Sequence, residues 1–237
     1  MSLTAPSGAV FNNDDLRLIK QLGEIGFIKY SEKPFKLKSG VMSNVYVYGR
    51  EELTANPHIL WSLGRKILRD AVAVMKKEND ERKPCFIGYP TAGTPLAQAA
   101  AMVDVIECYS KNPATFYQMR SVKKQSHGAH ETWIVGKPNV MEERIFRTDN
   151  VTTDGGTKIE WAPRFAEDGL PTYDLDDIIV VERQQGALKR MAEAGFKKKP
   201  VVIYYLLDLT FVFRELEVWP AQAVAQVEKE IAEHQFK

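Results

Sequence analysis

One pattern constrains the fold of this chain more than any other: an apolar run, then a loop of small or polar residues, then a helix-forming stretch. It occurs at Cys85-Phe86-Ile87-Gly88, followed by Tyr89-Pro90-Thr91-Ala92-Gly93-Thr94-Pro95 and an alanine-rich segment through Met102. It occurs again where Ile145 and Phe146 lead into a polar, glycine-containing stretch over 148–157, and Lys158, Ile159 and Trp161 read as the helix beyond. A third copy runs from Ile178 to Val181, through Glu182-Arg183-Gln184-Gln185-Gly186, to Leu188, Met191 and Ala192, ending at Gly195. Strand, short loop, helix is the repeating unit of a parallel sheet, whose ligand-binding loops lie at the strands' carboxyl ends. The fold class expected is α/β, with a central, mostly parallel sheet flanked by helices.

Flanking segments complete the outline. Asp14 and Asp15 can cap a helix carrying Leu16, Ile19, Leu22 and Ile25, which Gly23 and Gly26 punctuate. Phe35 to Leu37, the turn pair Ser39-Gly40 and Val45 to Tyr48 predict a hairpin with Lys38 at its bend. Asn56-Pro57 starts a helix with Leu60, Leu63, Ile67, Leu68, Val72 and Met75 inward, Val201 to Leu207 reads as the last strong strand, and Ala221 to Gln235 as a terminal helix. The expected organisation is one domain over 1–237: an N-terminal helix and hood hairpin to about 50, a core to about 215, and a C-terminal helix.

With 32 Lys plus Arg against 31 Asp plus Glu, the net charge of +1 offers no broad field for nucleic acid or an anionic membrane. Any anion site must therefore be local. No run approaches the ~18 apolar residues that span a bilayer, and the two cysteines, Cys85 and Cys108, have no metal-ligand spacing. A cytoplasmic protein without a dedicated metal cage is expected.

The sharpest chemical signal is Asp149-Asn150-Val151-Thr152-Thr153-Asp154-Gly155-Gly156-Thr157. Hydrogen-bonding side chains released from a strand can meet sugar hydroxyls, and N–H groups at a glycine-rich helix start can face a phosphate. Thr, Asp and Gly are also ordinary turn residues, and a P-loop is not matched, because no Lys stands directly after the second glycine.

This stretch resembles the phosphoribosyl pyrophosphate loop of the type I phosphoribosyltransferases. Asp149 matches the first acid of that motif, and Thr153, Gly155 and Thr157 match the phosphate cradle. Three further segments resemble the orotate phosphoribosyltransferase branch: 35–40 with Ser43 and Tyr46, 88–97, and 181–187 followed by 191–195. Together the matches span roughly residues 15–210 in the family's order.

The resemblance implies the type I phosphoribosyltransferase fold, with a small hood and a flexible catalytic loop. It also implies transfer of ribose 5-phosphate from phosphoribosyl pyrophosphate to orotate, with Mg²⁺ held mainly by substrate oxygens. It places Lys38, Tyr46, Thr153 and Arg183 at the orotate, where Arg183 would pair with the carboxylate. It places Thr91, Ala92 and Gly93 at the pyrophosphate, and Asp149, Asn150, Thr152, Thr153, Asp154, Gly155, Gly156 and Thr157 around the ribose and its phosphate. The segment Arg120-Ser121-Val122-Lys123-Lys124-Gln125-Ser126-His127-Gly128 resembles the catalytic loop, with Arg120, Lys123, Lys124 and His127 closing on the pyrophosphate from the partner subunit of a homodimer. Its spacing differs by about one residue from the family's, so Lys123 and Lys124 both compete for the catalytic lysine's place, Lys124 being preferred. The catalytic set is thus Lys124, His127, Asp149 and Asn150.

Two departures bear on activity. Asn150 stands where the family has its second acid, and its amide cannot offset positive charge at the anomeric carbon. Asp154 falls inside the phosphate cradle, where a carboxylate repels an anion unless it orders the loop instead. Arg147 and Thr148 also interrupt a strand that is normally apolar. Two rival readings follow: a regulatory protein that binds phosphoribosyl pyrophosphate or a nucleotide with little turnover, and a transferase acting on another base.

Overall fold

In the computed structural model, which describes residues 2–37, 40, 42–49, 51–108, 112–123 and 132–234, the strand-loop-helix units lie side by side in one sheet. A short antiparallel pair, β1 (Leu3–Thr4) and β2 (Val10–Phe11), precedes α1 (Asn13–Glu24). Asn12, not Asp14 or Asp15, caps that helix. Its side-chain oxygen accepts from the N–H groups of Asp14 and Asp15 at 2.9 and 3.0 Å, and the Asp15 carboxylate accepts from Asn12 N–H in return. The hood hairpin is β3 (Ile28–Lys36) against β4 (Met42–Val47), antiparallel with a register shift between Tyr30 and Phe35. Two helices follow, α2 (Glu51–Ala55) and α3 (Pro57–Glu78).

The core runs β5 (Lys83–Gly88), α4 (Gly93–Val103) with a π-helical turn Asp104–Cys108, β6 (Thr115–Met119), β7 (Ile134–Val135), β8 (Glu143–Thr152), α5 (Gly156–Glu167), β9 (Asp176–Glu182), α6 (Ala187–Glu193) and β10 (Val201–Tyr205). The helices α7 (Leu206–Glu215) and α8 (Ala221–Glu233) follow. Strand order is β10-β9-β8-β5-β6-β7, parallel except for the edge pair β6/β7. Alternate residues of the central strands feed opposite layers, as the twofold period of a strand requires. Phe86 and Phe146 pack with Ile67, Leu96 and Ala100 on one face, while Cys85, Ile87 and Ile145 pack with Trp161 and Phe165 on the other.

Several local expectations are corrected. The stretch 148–152 is the end of β8, not loop, so only 153–155 connect it to α5. The run Val201 to Leu207 divides at Tyr205, where β10 passes directly into α7. The segment 162–177 supplies the second half of α5, a 3₁₀ turn at Thr172–Asp174 and the start of β9.

Chain order reverses between β5 and β8. From β5 the sheet grows to β6 on one side, then returns to β8 on the other, with Gly88 registered opposite Thr148. Such a switch point opens a crevice beyond the carboxyl ends of the two strands. The loops that emerge there are the two that carry the small-residue motifs.

Candidate functional site

Close backbone approach builds the first wall. Tyr89 N–H donates to Thr148 O at 2.9 Å, Gly93 N–H to Tyr89 O at 2.9 Å, and Thr148 Oγ1 to Gly93 O at 3.1 Å. A Cβ on Gly93 would sit 2.1 Å from Thr148 O, so no other residue fits without moving the strand. The loop between, with its cis Pro90–Thr91 peptide, exposes Thr91 and buries Ala92 and Gly93.

The opposite wall is the turn from β8 to α5. Gly155 caps α5 at φ +74°, a conformation that favours glycine, and a Cβ there would lie 2.9 Å from Met191 Cγ of α6. This helix start lines a cavity of about 350 Å³, together with Val151 to Asp154, Glu160, Arg183 and the hood residues Leu37, Tyr46 and Val47; the first N–H groups of a helix have no partner within the helix itself. A second cavity of about 550 Å³ shares Tyr46, Val47, Val151, Thr157 and Glu160 with the first and reaches Pro90, Thr91, Ala92, Asp149 and Asn150. The two form one cleft, floored by the switch point and roofed by the hood.

Within it, Asp149 is buried and doubly held: one oxygen accepts from Asn150 N–H at 2.9 Å, the other from Lys158 Nζ. Lys158, 1% exposed, also donates to Val151 O at 2.8 Å. The sequence reading missed this lysine. Its signal was a cation in the first turn of a helix whose preceding strand carries an acid near its end. Asn150 packs against the hood chain, and a Cβ on Gly49 would be 2.3 Å from its Nδ2. Thr152 is buried, with no partner for Oγ1 among the described residues. Asp154 bonds within the protein, accepting from Gly156 N–H at 3.1 Å and pairing with Arg190 of α6. Its carboxylate therefore takes part in ordering the cradle while occupying one of its donors.

Arg183 is 2% exposed, not a surface residue. Nε donates to Gln185 Oε1 at 3.2 Å, Nη1 to Val45 O at 2.8 Å, and Nη2 to Ser43 Oγ and Glu230 Oε1, each at 2.8 Å. Neighbouring Glu182 is buried too, and burial pushes its carboxyl up to about 7. Tyr46 is half-buried, its ring 5.4 Å from Phe35 and 4.2 Å from Tyr48.

Not every candidate meets this cleft. Arg120 donates to Thr132 O at 2.7 Å, and Lys123 pairs with Glu167 at 3.2 Å; neither lines either cavity. Lys38, Lys124 and His127 lie outside the described residues. Among the described residues no group of three or more His, Cys, Asp or Glu gathers as a metal cage, and no helix is long and apolar enough to cross a membrane.

Known proteins resemble this chain in both sequence and fold. The orotate phosphoribosyltransferase of Methanopyrus kandleri is 29% identical over 186 residues, 78% of this chain and 87% of that protein. That of Pyrococcus abyssi is 28% identical over 186 residues, 78% and 91% of the two chains. The chain is similar to orotate phosphoribosyltransferases over most of its length. Its fold is that of the type I phosphoribosyltransferases: the structure of Leishmania donovani UMP synthase superposes with a TM-score of 0.69 at 22% identity, over 92% of this chain. This chain spans 42% of that synthase's length. No family model matches the sequence. Against the family's motif, Asn150 and Asp154 remain the departures, and the geometry adds Lys158 as Asp149's counter-ion.

Proposed function

We infer that the protein transfers ribose 5-phosphate from phosphoribosyl pyrophosphate to N1 of orotate, giving orotidine 5′-monophosphate and pyrophosphate for pyrimidine synthesis. The observation that carries this reading is the convergence on one cleft of a glycine-bounded helix start, a small-residue βα loop and a buried arginine opposite them. In the reaction the C1–O bond to pyrophosphate breaks as C1–N1 forms, and positive charge gathers on the ribose ring. The protein's work is positioning and charge management.

Thr153, Gly155, Gly156 and Thr157 are assigned to the 5′-phosphate, Asp149, Asn150 and Thr152 to the ribose, and Thr91, Ala92 and Gly93 to the pyrophosphate. Tyr46 and Arg183, with Lys38, are assigned to the base. Mg²⁺ would be held by phosphate oxygens and water, which suits a hard cation, since Asp149 and Asp154 of the cleft are already paired with Lys158 and Arg190; when bound it would neutralise the departing pyrophosphate. The reading includes a homodimer in which segment 120–128, with Lys124 and His127, closes over the neighbouring subunit's cleft. The placement of Arg120 and Lys123 away from their own chain's cavities is consistent with that exchange.

An absorbance assay of orotate consumption with phosphoribosyl pyrophosphate and Mg²⁺, run beside calorimetric titration of phosphoribosyl pyrophosphate alone, tests the reading. Consumption is expected. Binding without consumption would favour the regulatory alternative.

Two substitutions probe the family departures. Asn150→Asp restores the second acid beside the ribose and is expected to raise kcat by about tenfold; a fall in kcat would show that the amide is adapted to this cleft. Asp154→Asn removes the carboxylate's charge from the cradle and is expected to tighten phosphoribosyl pyrophosphate by about threefold, measured by calorimetry. Weaker binding would assign Asp154 to loop order alone.

A further inference from the structure

The C-terminal helix reaches the base end of the cleft, and nothing in the family's motif gives it a part there. Glu230 of α8 is 5% exposed and uses both carboxylate oxygens. Oε1 accepts from Arg183 Nη2 at 2.8 Å, and Oε2 accepts from Asn44 N–H at 3.0 Å. The same helix donates Gln226 Nε2 to Asn44 Oδ1 at 3.2 Å, so it is tied to β4 at two points.

Two consequences follow for the arginine. A guanidinium has five N–H donors, and four of them are already engaged by Gln185, Val45, Ser43 and Glu230. The donor left without a partner among the described residues is on Nη1. A fork onto an incoming carboxylate needs two parallel donors, which this arrangement does not offer. The arginine's charge is also already compensated, so an anionic base meets a nearly neutral pair in a buried place. Glu230 cannot swing aside freely either, because the buried Asn44 N–H would lose its acceptor.

We propose that Glu230 is a positioning residue that sets base specificity, holding Arg183 as a charge-compensated contact that offers a single N–H to the acidic group of the heterocycle. This rests on the orotate reading above. It means that the site discriminates less strongly for an acidic base than an unpaired arginine would, and that the aromatic face of Tyr46 carries a larger share of the base's affinity.

The test is Glu230→Gln, with orotate and the uncharged analogue uracil titrated separately by calorimetry and thermal melting recorded alongside. Orotate is expected to bind about tenfold more tightly, uracil to be unchanged, and the melting temperature to fall. Loss of affinity for both ligands alike, or no change for either, would overturn the proposal, because a merely structural role cannot select for charge. Should the variant not fold, a crystal structure of the unaltered protein with orotate decides: one contact from Nη1 with the Arg183–Glu230 pair intact is expected, and a two-pronged grip with Glu230 turned away overturns it. If the unaltered protein consumes orotate but the variant's affinity does not change, the specificity proposal alone fails. If neither protein binds orotate, the functional reading fails with it.

Discussion

Replacing Lys158 by methionine is expected to lower kcat/KM by about 10²–10³-fold and to cost about 3–5 kcal/mol of stability. Lys158 Nζ sits between Asp149 and Val151 O, and both members of the pair are buried. Without the ammonium, the carboxylate keeps only the Asn150 N–H as a partner and is left as an uncompensated charge at the end of a central strand. Asp149 must either turn away from its present position or pull water into the cleft, and on the proposed assignment each outcome removes a fixed acceptor from the ribose. Urea unfolding and steady-state kinetics would measure the two effects. The double variant Asp149→Asn/Lys158→Met separates them: it removes both charges, so most of the stability should return while activity stays low. Activity that survives Lys158→Met would mean that the pair is a packing device and that Asp149 has no part in the ribose site.

That pair also shows where sequence reading stops. The strand-loop-helix rhythm is visible because each apolar strand, its loop and the first turn of its helix are contiguous, and the sheet follows from them. The cleft's two loops could be located the same way. What could not be read were partners set by tertiary contact. Arg183 is recognisable from its loop, but its bonds go to Val45, 138 residues away, and to Glu230, 47 residues away. Arg147 and Thr148 looked out of place in a central strand because their answers lie on neighbouring elements: Asp177 for the guanidinium, Gly93 O for the hydroxyl. The end of β10 was invisible for a different reason. Tyr204 on the strand and Leu206 and Leu209 on α7 enter the same core, so the apolar run continues unbroken while the backbone changes from strand to helix. At α1, Asn12 outcompetes the two acids because it stands one residue before the first helical turn, leaving Asp15 to close the capping box from inside.

The second large effect is expected at Arg147. Its side chain is fully buried, with Nη2 donating to Asp177 at 2.6 Å and Nη1 to Thr172 Oγ1 at 3.0 Å, and with the rings of Phe165 and Phe196 within 5.3 and 5.2 Å of the guanidinium carbon. Burial works against this charge, but Asp177, Tyr89 and Asp176 together outweigh it, so the guanidinium is held above its ordinary pKa. Arg147→Met should therefore cost about 3–5 kcal/mol, because it strands the Asp177 carboxylate in the sheet. Arg147→Met/Asp177→Leu should recover most of that loss, since two apolar side chains of similar volume suit the same space. The recovery should not extend to the cleft. Tyr89, the first residue of the loop proposed to hold the pyrophosphate, donates its hydroxyl to Asp177 at 2.8 Å, and burial pushes that hydroxyl's pKa well above its ordinary value, so it remains a donor in need of an acceptor. In the double variant the acceptor is gone and the loop loses its anchor at Tyr89. Phosphoribosyl pyrophosphate should bind more weakly by about tenfold in a protein whose unfolding midpoint has returned to near its starting value. If stability and affinity recover together, the network supports only the sheet. If stability recovers and affinity does not, the buried arginine sets the loop's position through Asp177 and Tyr89, which gives a polar pair across β8 and β9 a task that apolar residues could not perform.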